Sequence, residues 1–215
     1  MPAAETPFRP IPPLVIGLLG AVAAGKSTVA GLFGEHGLEV IDADRKAREV
    51  VRRAEILADL EHRFGADILT ETGELDRRRL AAVAFTDDQA RRDLEAITHP
   101  AIRASIVLDL ERAHAEGTSV LLDVPLLAEG GLLERCDFAV FVEAPDALRR
   151  QRAAARGWDA AELDRRDAAQ DSASVKKKRA DFIIDNSRSL EEARAQVAEI
   201  LARLAKTPGS LQAEP

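Results

Sequence analysis

The sequence has few of the side chains that build disulfide-linked, zinc-binding or base-stacking proteins. Among its 215 residues there is one cysteine and no tyrosine, and aromatic residues make up 4%. The single cysteine, Cys136, excludes an intramolecular disulfide and a cysteine-rich zinc site, and it is typical of a reducing compartment. With so few aromatic rings, the stacking platforms that bind single-stranded nucleic acid are not expected.

The sequence also lacks an excess of positive charge and a long apolar segment. Lysine and arginine number 30 against 37 acidic residues, a formal net charge of −7, which excludes a polycation that wraps nucleic acid. The longest apolar run, from Leu14 to Ala24, is shorter than the roughly 18 residues that a membrane span needs. Residues 1–13 lack the basic start and apolar centre of a signal peptide. We therefore expect a cytoplasmic protein with neither nucleic acid nor a membrane as partner.

The composition predicts one folded domain with short tails. Hydrophobic residues make up 46% and charged residues 31% of the chain, which are values of globular proteins. Half of the ten prolines lie within residues 1–13, and this predicts an extended N-terminal tail. Residues 207–215 form a second predicted tail, so the domain is expected to span residues 14–206.

Continuous apolar runs alternate with helical patterns along this domain. The runs lack polar alternation, which is typical of strands buried on both faces of a parallel sheet. They are LVIGLL from Leu14, LEVIDA from Leu38, SVLLDV from Ser119, FAVFVE from Phe138 and DFIID from Asp181. Strands separated by helices predict an α/β fold, a three-layer sandwich around a five-stranded parallel sheet with right-handed crossovers.

Two intervals between the strands are longer than a simple crossover requires. Residues from about 54 to 117 are almost entirely helical in pattern, and we interpret them as a helical insertion. Residues from about 147 to 180 are helical and strongly charged, which favours a mobile lid. Pro100 disfavours helical geometry at His99, so the long helical region is expected to kink or restart there.

The first strand is followed by a phosphate-binding motif. Residues 20–27 match G-x-x-x-x-G-K-[ST], with a buried strand before them and a helical pattern after them. The loop N–H groups and the helix N-terminus would cradle the phosphates of ATP, while Lys26 reaches the β- and γ-phosphates and the Ser27 hydroxyl ligates Mg²⁺. The alternative is an ordinary glycine-containing turn. The predicted ATP-binding residues are Gly20, Ala21, Val22, Ala23, Ala24, Gly25, Lys26, Ser27 and Thr28.

Carboxylates end the second and third predicted strands. Asp42 and Asp44 are expected on the same side of an extended strand, across from the phosphate loop, because ligands bind at the carboxyl ends of parallel strands. Asp44 is the predicted base that accepts the proton of the acceptor hydroxyl, and Asp42 would support it or lie near the metal. An N-cap role for Asp44 is an alternative compatible with this one. Asp123 ends the third strand and either contacts the Mg²⁺ shell or forms a turn.

Several further segments follow these motifs in a recognisable order. They are GELDRRRLAAVAF from Gly73, LEAITHPAIR from Leu94, DVPLLAEGGL from Asp123, Gln170 and ADFIIDN from Ala180. Together with the run from Val15 to Val51, they make the chain similar to the dephospho-CoA kinases over nearly its whole length. The resemblance implies phosphorylation of the 3′-hydroxyl of the ribose of dephospho-CoA with ATP and Mg²⁺, the last step of coenzyme A synthesis.

The resemblance also implies roles for individual residues. Asp44 faces the acceptor, Asn186 lies near the nucleotide base, and the lid arginines, Arg152 and Arg156, stabilise charge on the transferring phosphoryl group. The remaining residues implied to hold dephospho-CoA are Arg48, His99, Pro100 and Glu129. His99 could instead be structural and Glu129 could cap a turn.

The chain departs from the family pattern at several positions. Ala21, Ala23 and Ala24 stand where the family usually has Gly, Gly and Ser, so the loop is expected to use backbone conformations that L-residues tolerate. Ala128 replaces a bulky residue of the family. A lid about one residue shorter than usual leaves open which lid arginine contacts the γ-phosphate.

The basic run Lys176-Lys177-Lys178-Arg179 has two interpretations. A solvated helix face is favoured, and an electrostatic contribution to ligand capture comes second. For the whole protein, a nucleoside monophosphate kinase or a non-catalytic ATP-binding module are the alternatives, but the ITHP and DAD motifs favour dephospho-CoA. We expect a monomer, with an oligomer left open.

Overall fold

The structure is a computed structural model that describes residues 13–84, 87–124 and 131–206. Most of the two predicted tails, as well as Ala128 and Glu129, lie outside these residues. The chain forms two compact units, one comprising residues up to Ile41 and from Leu110 onward, the other Asp42–Asp109. Among the described helices, none combines the length and the apolar character that crossing a bilayer requires.

A five-stranded parallel sheet organises the first unit, and this confirms the predicted α/β fold. The strand order is β2-β3-β1-β4-β5, so the first strand is central and pairs with β3 and β4. The runs at the centre of the sheet become strands because their side chains are covered on both faces, whereas Ile183 in the last run is 46% exposed. The strands are β1 (Val15–Gly20), β2 (Glu39–Asp42), β3 (Val120–Asp123), β4 (Phe138–Glu143) and β5 (Phe182–Asp185).

Nine α-helices lie within the described residues. In chain order they are α1 (Lys26–Glu35), α2 (Ala43–Val50), α3 (Ala54–Phe64), α4 (Arg77–Ala84), α5 (Asp88–Ala115), α6 (Asp146–Ala155), α7 (Ala160–Ala168), α8 (Ala173–Lys178) and α9 (Leu190–Leu204). The helices α6, α7 and α8 occupy the predicted lid interval. Helices α3, α4 and α5 fall within the predicted insertion.

The core of the first unit lies between the sheet and helices α1 and α9. Ile16 and Leu18 of β1 pack in one cluster with Phe33 of α1 and Val197 of α9, and all four are fully buried. A capping box at Ser189 starts α9, since its hydroxyl accepts from the Glu192 N–H while the Glu192 carboxylate accepts from the Ser189 N–H. This core fixes β1 and the start of α1, the two elements that carry the phosphate-binding motif.

The second unit has its own core, and its longest helix passes through a proline. The side chains of this core are Val50, Ile56, Leu60, Phe64, Ile68, Leu80, Ala84 and Ala90. Helix α5 is continuous from Asp88 to Ala115 and includes Pro100, so the helix does not restart at His99, and the expected kink there stays a prediction. Pro100 removes one N–H from the helix, but Ala96, whose carbonyl would accept it, is solvent-exposed, as are His99 and Pro100. Leu94 and Ile97 pack on the core and hold the helix together.

A buried ion pair ties α2 to α5 within the second unit. The Lys46 ammonium lies 2.5 Å from Asp109 Oδ2 and 3.0 Å from Glu49 Oε2. Desolvation lowers the pKa of Lys46, but the hydrogen bonds and negative charges of Asp109 and Glu49 outweigh it, and the pKa is raised above 10.5. The stabilisation from this pair is therefore present below pH 10.5 and is lost as pH rises through the pKa of the folded protein.

Replacing Lys46 by methionine is expected to reduce the free energy of unfolding by about 1–3 kcal/mol, because Asp109 is left largely buried without its cation. Urea unfolding at neutral pH measures the change. The matched control is Arg91→Ala, which breaks an exposed pair with Glu95 on α5 and is expected to cost less than about 0.5 kcal/mol. Equal losses in the two variants would contradict the role of burial.

Candidate active site

The phosphate-binding motif forms the turn between β1 and α1, and glycine is required at both of its ends. Gly20 lies so close to β4 that a Cβ atom would come within 2.9 Å of the Val142 carbonyl oxygen. Gly25, the N-cap of α1, has a φ of 95°, which L-residues rarely adopt. A helix N-terminus carries a partial positive charge and presents N–H groups, so the start of α1 can bind an anion.

Ala23 takes a left-handed backbone conformation inside this loop. Its φ is 61°, whereas no other described non-glycine residue has a positive φ. The expectation that the loop uses only conformations comfortable for L-residues was therefore wrong at Ala23. The left-handed region costs an L-residue roughly 1–2 kcal/mol, and the Ala23 side chain is buried in one cluster with Ala153 and Leu163.

Two donors from the C-terminal part of the chain hold the Ala24 carbonyl oxygen. Arg152 Nη1 of α6 donates to it at 2.8 Å, and Asn186 Nδ2, just after β5, donates to it at 2.8 Å. Arg152 Nη2 also donates to the Asn186 carbonyl at 2.9 Å. Both predicted site residues therefore contact the phosphate loop through its backbone, and Asn186 is buried while doing so.

Gly25→Ala is expected to destabilise the protein by about 2–3 kcal/mol and to weaken ATP binding. The new methyl group would overlap the Asn186 amide and lie 3.2 Å from Arg152 Nη1, on a backbone with positive φ. Thermal unfolding and titration with ATP measure both effects. The control is Gly31→Ala in α1, where the added Cβ meets no atom within 4 Å and is expected to stabilise by about 0.5–1 kcal/mol.

The side chains that are predicted to bind the nucleotide and the metal ion lie at the start of α1. Lys26 Nζ lies 3.5 Å from the Gly20 carbonyl oxygen, folded back along the loop. Ser27 and Thr28 are exposed in the first turn of α1. The hydroxyl of Ser27 is an oxygen ligand of the kind that Mg²⁺ prefers.

Two residues that the sequence analysis missed contact the same loop. Arg149 Nη1 of α6 donates to the Val22 carbonyl at 3.1 Å, and the Val22 N–H donates to Asp167 Oδ1 of α7 at 3.3 Å. The two side chains also pair with each other, with Arg149 Nη2 lying 2.7 Å from Asp167 Oδ2. The three-residue spacing of Arg149 and Arg152 on one helix was the only available signal.

Arg156, the second predicted lid arginine, lies at the C-cap of α6 beside Trp158. Its guanidinium carbon is 5.7 Å from the centroid of the indole ring, and that of Arg166 is 4.2 Å away. Arg156 is exposed. Whether Arg152 or Arg156 contacts the γ-phosphate stays a prediction.

The basic run at the end of the lid is only partly a solvated face. Lys176 is 2% exposed and donates to Gln170 Oε1 at 2.7 Å, so the favoured interpretation was wrong for this residue. A buried ammonium needs such an acceptor because burial disfavours its charge. Lys177 lies 2.8 Å from Glu143 Oε1, while Lys178 and Arg179 are exposed.

In the second unit, Asp42 and Asp44 differ in backbone conformation. Asp42 ends β2 and is the N-cap of α2, where its Oδ1 accepts from the Arg45 N–H at 2.9 Å. The expectation of an extended strand through Asp44 was wrong, because this cap starts the helix at Ala43. Asp44 is exposed in the first turn of α2, and Arg48 is exposed in its last turn.

The described residues contain no cluster of three His, Cys, Asp or Glu side chains that could hold a metal ion alone. Asp123 ends β3, and its carboxylate belongs to the oxygen ligands suited to Mg²⁺. Ser27 and Asp123 fit a magnesium ion that keeps several waters and takes its other ligands from phosphates. Glu129, predicted at the acceptor, lies outside the described residues.

A central parallel strand, a G-x-x-x-x-G-K-S turn and the helix after it define a P-loop nucleotide-binding protein. The model of the family described as CoaE, dephospho-CoA kinase, matches residues 14–192. This chain belongs to the dephospho-CoA kinase family and is a kinase.

Individual relatives and structures agree with the family match. The chain is 42% identical to a dephospho-CoA kinase of Deinococcus radiodurans over 206 residues, which are 95% of this chain and 99% of the relative. It is 40% identical to that of Bacillus licheniformis over 191 residues, 87% and 95% of the two chains. The crystal structure of TT1252 from Thermus thermophilus is similar with a TM-score of 0.74 and 34% identity, over 92% of this chain and 99% of that one.

Proposed function

We propose that the protein transfers the γ-phosphoryl group of ATP to the 3′-hydroxyl of dephospho-CoA, which gives coenzyme A and ADP. The observation that carries this proposal is the extent of the family match. It runs from the phosphate loop through the whole of the Asp42–Asp109 unit to α9. A match confined to the phosphate loop would support only nucleotide binding, because that loop occurs in many unrelated proteins.

ATP is bound by the loop from Gly20 to Thr28. The N–H groups at the start of α1 hold the phosphates, Lys26 turns from the Gly20 carbonyl to the β- and γ-phosphates, and Asn186 lies near the base. Ser27 would hold Mg²⁺ as a direct ligand, with Asp42 or Asp123 in its outer shell, and the ion would offset the negative charge of the phosphates.

Four predicted residues bind the acceptor, and one of them, Glu129, lies outside the described residues. Arg48, His99 and Pro100 hold dephospho-CoA, and their exposure leaves them accessible to a ligand. Asp44 orients the 3′-hydroxyl and takes its proton as the oxygen attacks phosphorus in line with the departing ADP oxygen. Both substrates are bound together, so no covalent enzyme intermediate forms.

Charge on the transferring group is stabilised by the lid arginines. Arg152 already lies on the loop, where its guanidinium holds the Ala24 carbonyl, and Arg156 is 5.7 Å from the Trp158 ring and exposed. A planar guanidinium can follow charge that spreads over the equatorial oxygens. Closure of the lid excludes water, which would otherwise consume ATP. We further propose that the enzyme works in the cytoplasm as a monomer.

The test incubates the purified protein with ATP and Mg²⁺ and supplies dephospho-CoA, adenosine or one of several nucleoside monophosphates as acceptor. Coenzyme A formation at least about a hundredfold faster than transfer to the other acceptors is expected. Preferred phosphorylation of a nucleoside monophosphate would show the other kinase type. Binding of ATP with transfer to none of the acceptors would indicate a non-catalytic module, and either result would contradict the proposal.

A further inference from the structure

Both backbone polar groups of Val22, in the phosphate loop, are hydrogen-bonded to the lid helices. The Val22 carbonyl accepts from Arg149 of α6, and the Val22 N–H donates to Asp167 of α7. These contacts join residues 127 and 145 positions apart in the sequence. The hydrogen-bonding groups of Val22 therefore both depend on the lid helices.

The two side chains form a stiff unit. Arg149 donates to both carboxylate oxygens of Asp167, at 3.1 and 2.7 Å, and also to Asp146 Oδ1 at 3.0 Å. The Arg149 side chain is 12% exposed and that of Asp167 is 32% exposed. Paired hydrogen bonds between a planar guanidinium and a carboxylate fix orientation as well as distance. The hydrogen bonds to Asp167 also raise the pKa of Arg149, so it stays charged.

The residue after Val22 is Ala23, whose backbone is strained. Its φ of 61° persists only if the surroundings hold it there, because an L-residue pays for the left-handed region. The Ala23 methyl group packs on Ala153 of α6 and Leu163 of α7. The same two helices thus hold the backbone before Ala23 and the side chain of Ala23 itself.

We propose that Arg149 and Asp167 are positioning residues that keep Ala23 in its left-handed conformation, and so keep the phosphate loop in its ATP-binding shape. Glycine would reach this conformation without help, whereas alanine needs the pair. The proposal rests on ATP binding by the loop, which is part of the proposed function. Without the pair, the fraction of molecules with a competent loop falls, and the apparent affinity for ATP falls in proportion.

The test uses calorimetric titration with a non-hydrolysable ATP analogue and Mg²⁺, which needs no acceptor. Asp167→Ala is expected to weaken binding by about tenfold, the size of the strain at one left-handed alanine. The matched control is Asp164→Ala. It removes another carboxylate that links α6 and α7, since Asp164 lies 3.1 Å from Arg150, but no contact of this pair with the loop is described. We expect a change below twofold, as is usual for an exposed pair.

A second substitution, of alanine by glycine, separates the positioning role from a general effect on stability. In the Asp167→Ala background, Ala23→Gly is expected to recover at least about threefold of the lost affinity, because glycine restores the loop conformation without the pair. In turnover assays the loss should appear in the KM for ATP and leave the KM for dephospho-CoA within about twofold. Asp167→Asn keeps an acceptor for the Val22 N–H, so its affinity for the ATP analogue should lie between those of wild type and Asp167→Ala. This variant replaces Asp167→Ala in the test if the alanine variant does not fold.

Three results would overturn the proposal. The first is an equal loss of analogue affinity in Asp167→Ala and Asp164→Ala. The second is a lowered unfolding temperature of Asp167→Ala with unchanged analogue affinity. The third is no recovery of affinity when Ala23→Gly is added to Asp167→Ala. Analogue binding by the wild-type protein without phosphorylation of dephospho-CoA would contradict the proposed reaction and still leave the positioning role testable.

Discussion

Replacing Lys26 by alanine lowers the rate of phosphoryl transfer to dephospho-CoA by about a thousandfold or more and leaves the fold intact. The lysine is the cation of the phosphate loop, and stabilisation of charge on the transferring group supplies most of the catalysis in such reactions. Its hydrogen bond to the Gly20 carbonyl is 3.5 Å long, and a hydrogen bond of that length contributes little to the free energy of folding. Coenzyme A formation measures the rate, and circular dichroism checks the fold.

The control for Lys26→Ala is Lys177→Ala. It removes a cation from the basic run, where Lys177 pairs with Glu143, and is expected to change the rate by less than about threefold. A large loss in the control would mean that the run captures ligand, the second of its two interpretations. Near-normal turnover by Lys26→Ala would refute the assignment of the loop.

Asp44→Asn lowers kcat by about 10²- to 10⁴-fold, because an amide cannot take the proton of the attacking hydroxyl. The KM values for both substrates should change far less than kcat, since the amide keeps the size and the acceptor oxygen of the carboxylate. Steady-state kinetics, with each substrate varied while the other is saturating, measure kcat and both KM values.

Asp44 also lies in the first turn of α2, where a negative charge favours the helix, so the structural part of the effect needs its own control. Asp88→Asn supplies it, because Asp88 is an exposed acid in the first turn of α5. Both variants should lose less than about 1 kcal/mol of stability, and only Asp44→Asn should lose activity. A comparable loss of kcat in both would argue against Asp44 as the base.

The sheet could be predicted from the sequence because strands that are buried on both faces appear as continuous apolar runs. FAVFVE became β4 with the predicted ends, and the other four apolar runs became strands shifted or shortened at their ends by a residue or two. The phosphate loop was predictable for a related reason, since its glycines, lysine and serine are adjacent in the chain.

Other features depended on competition between local preference and packing. Pro100 disfavours a helix, but the apolar side chains of α5 on either side of it hold the helix to the core of the second unit. At Asp42, the side chain accepts a hydrogen bond from the Arg45 N–H, and a helix begins where the strand was expected to continue. Neither outcome is visible in hydrophobic periodicity.

The contacts around the loop could not have been predicted, because they join distant parts of the chain. Asp167 belongs to no recognised sequence motif, and only the folding of the chain brings it close to the Val22 N–H. Lys176 belongs to a charged run that suggests solvent exposure, yet it is buried against Gln170 while Val175 and Lys178 of the same helix are exposed. A run of like charges therefore does not tell which member turns inward.

The arrangement around Trp158 makes the lid an optical reporter. This residue is the only tryptophan, and the chain has no tyrosine, so nearly all near-ultraviolet emission of the protein comes from one indole. The guanidinium groups of Arg156 and Arg166 lie over its ring and set the local electric field. If Arg156 leaves the ring for the γ-phosphate, the colour and intensity of the fluorescence change at that moment. The lid arginine can thus be followed in real time without any label.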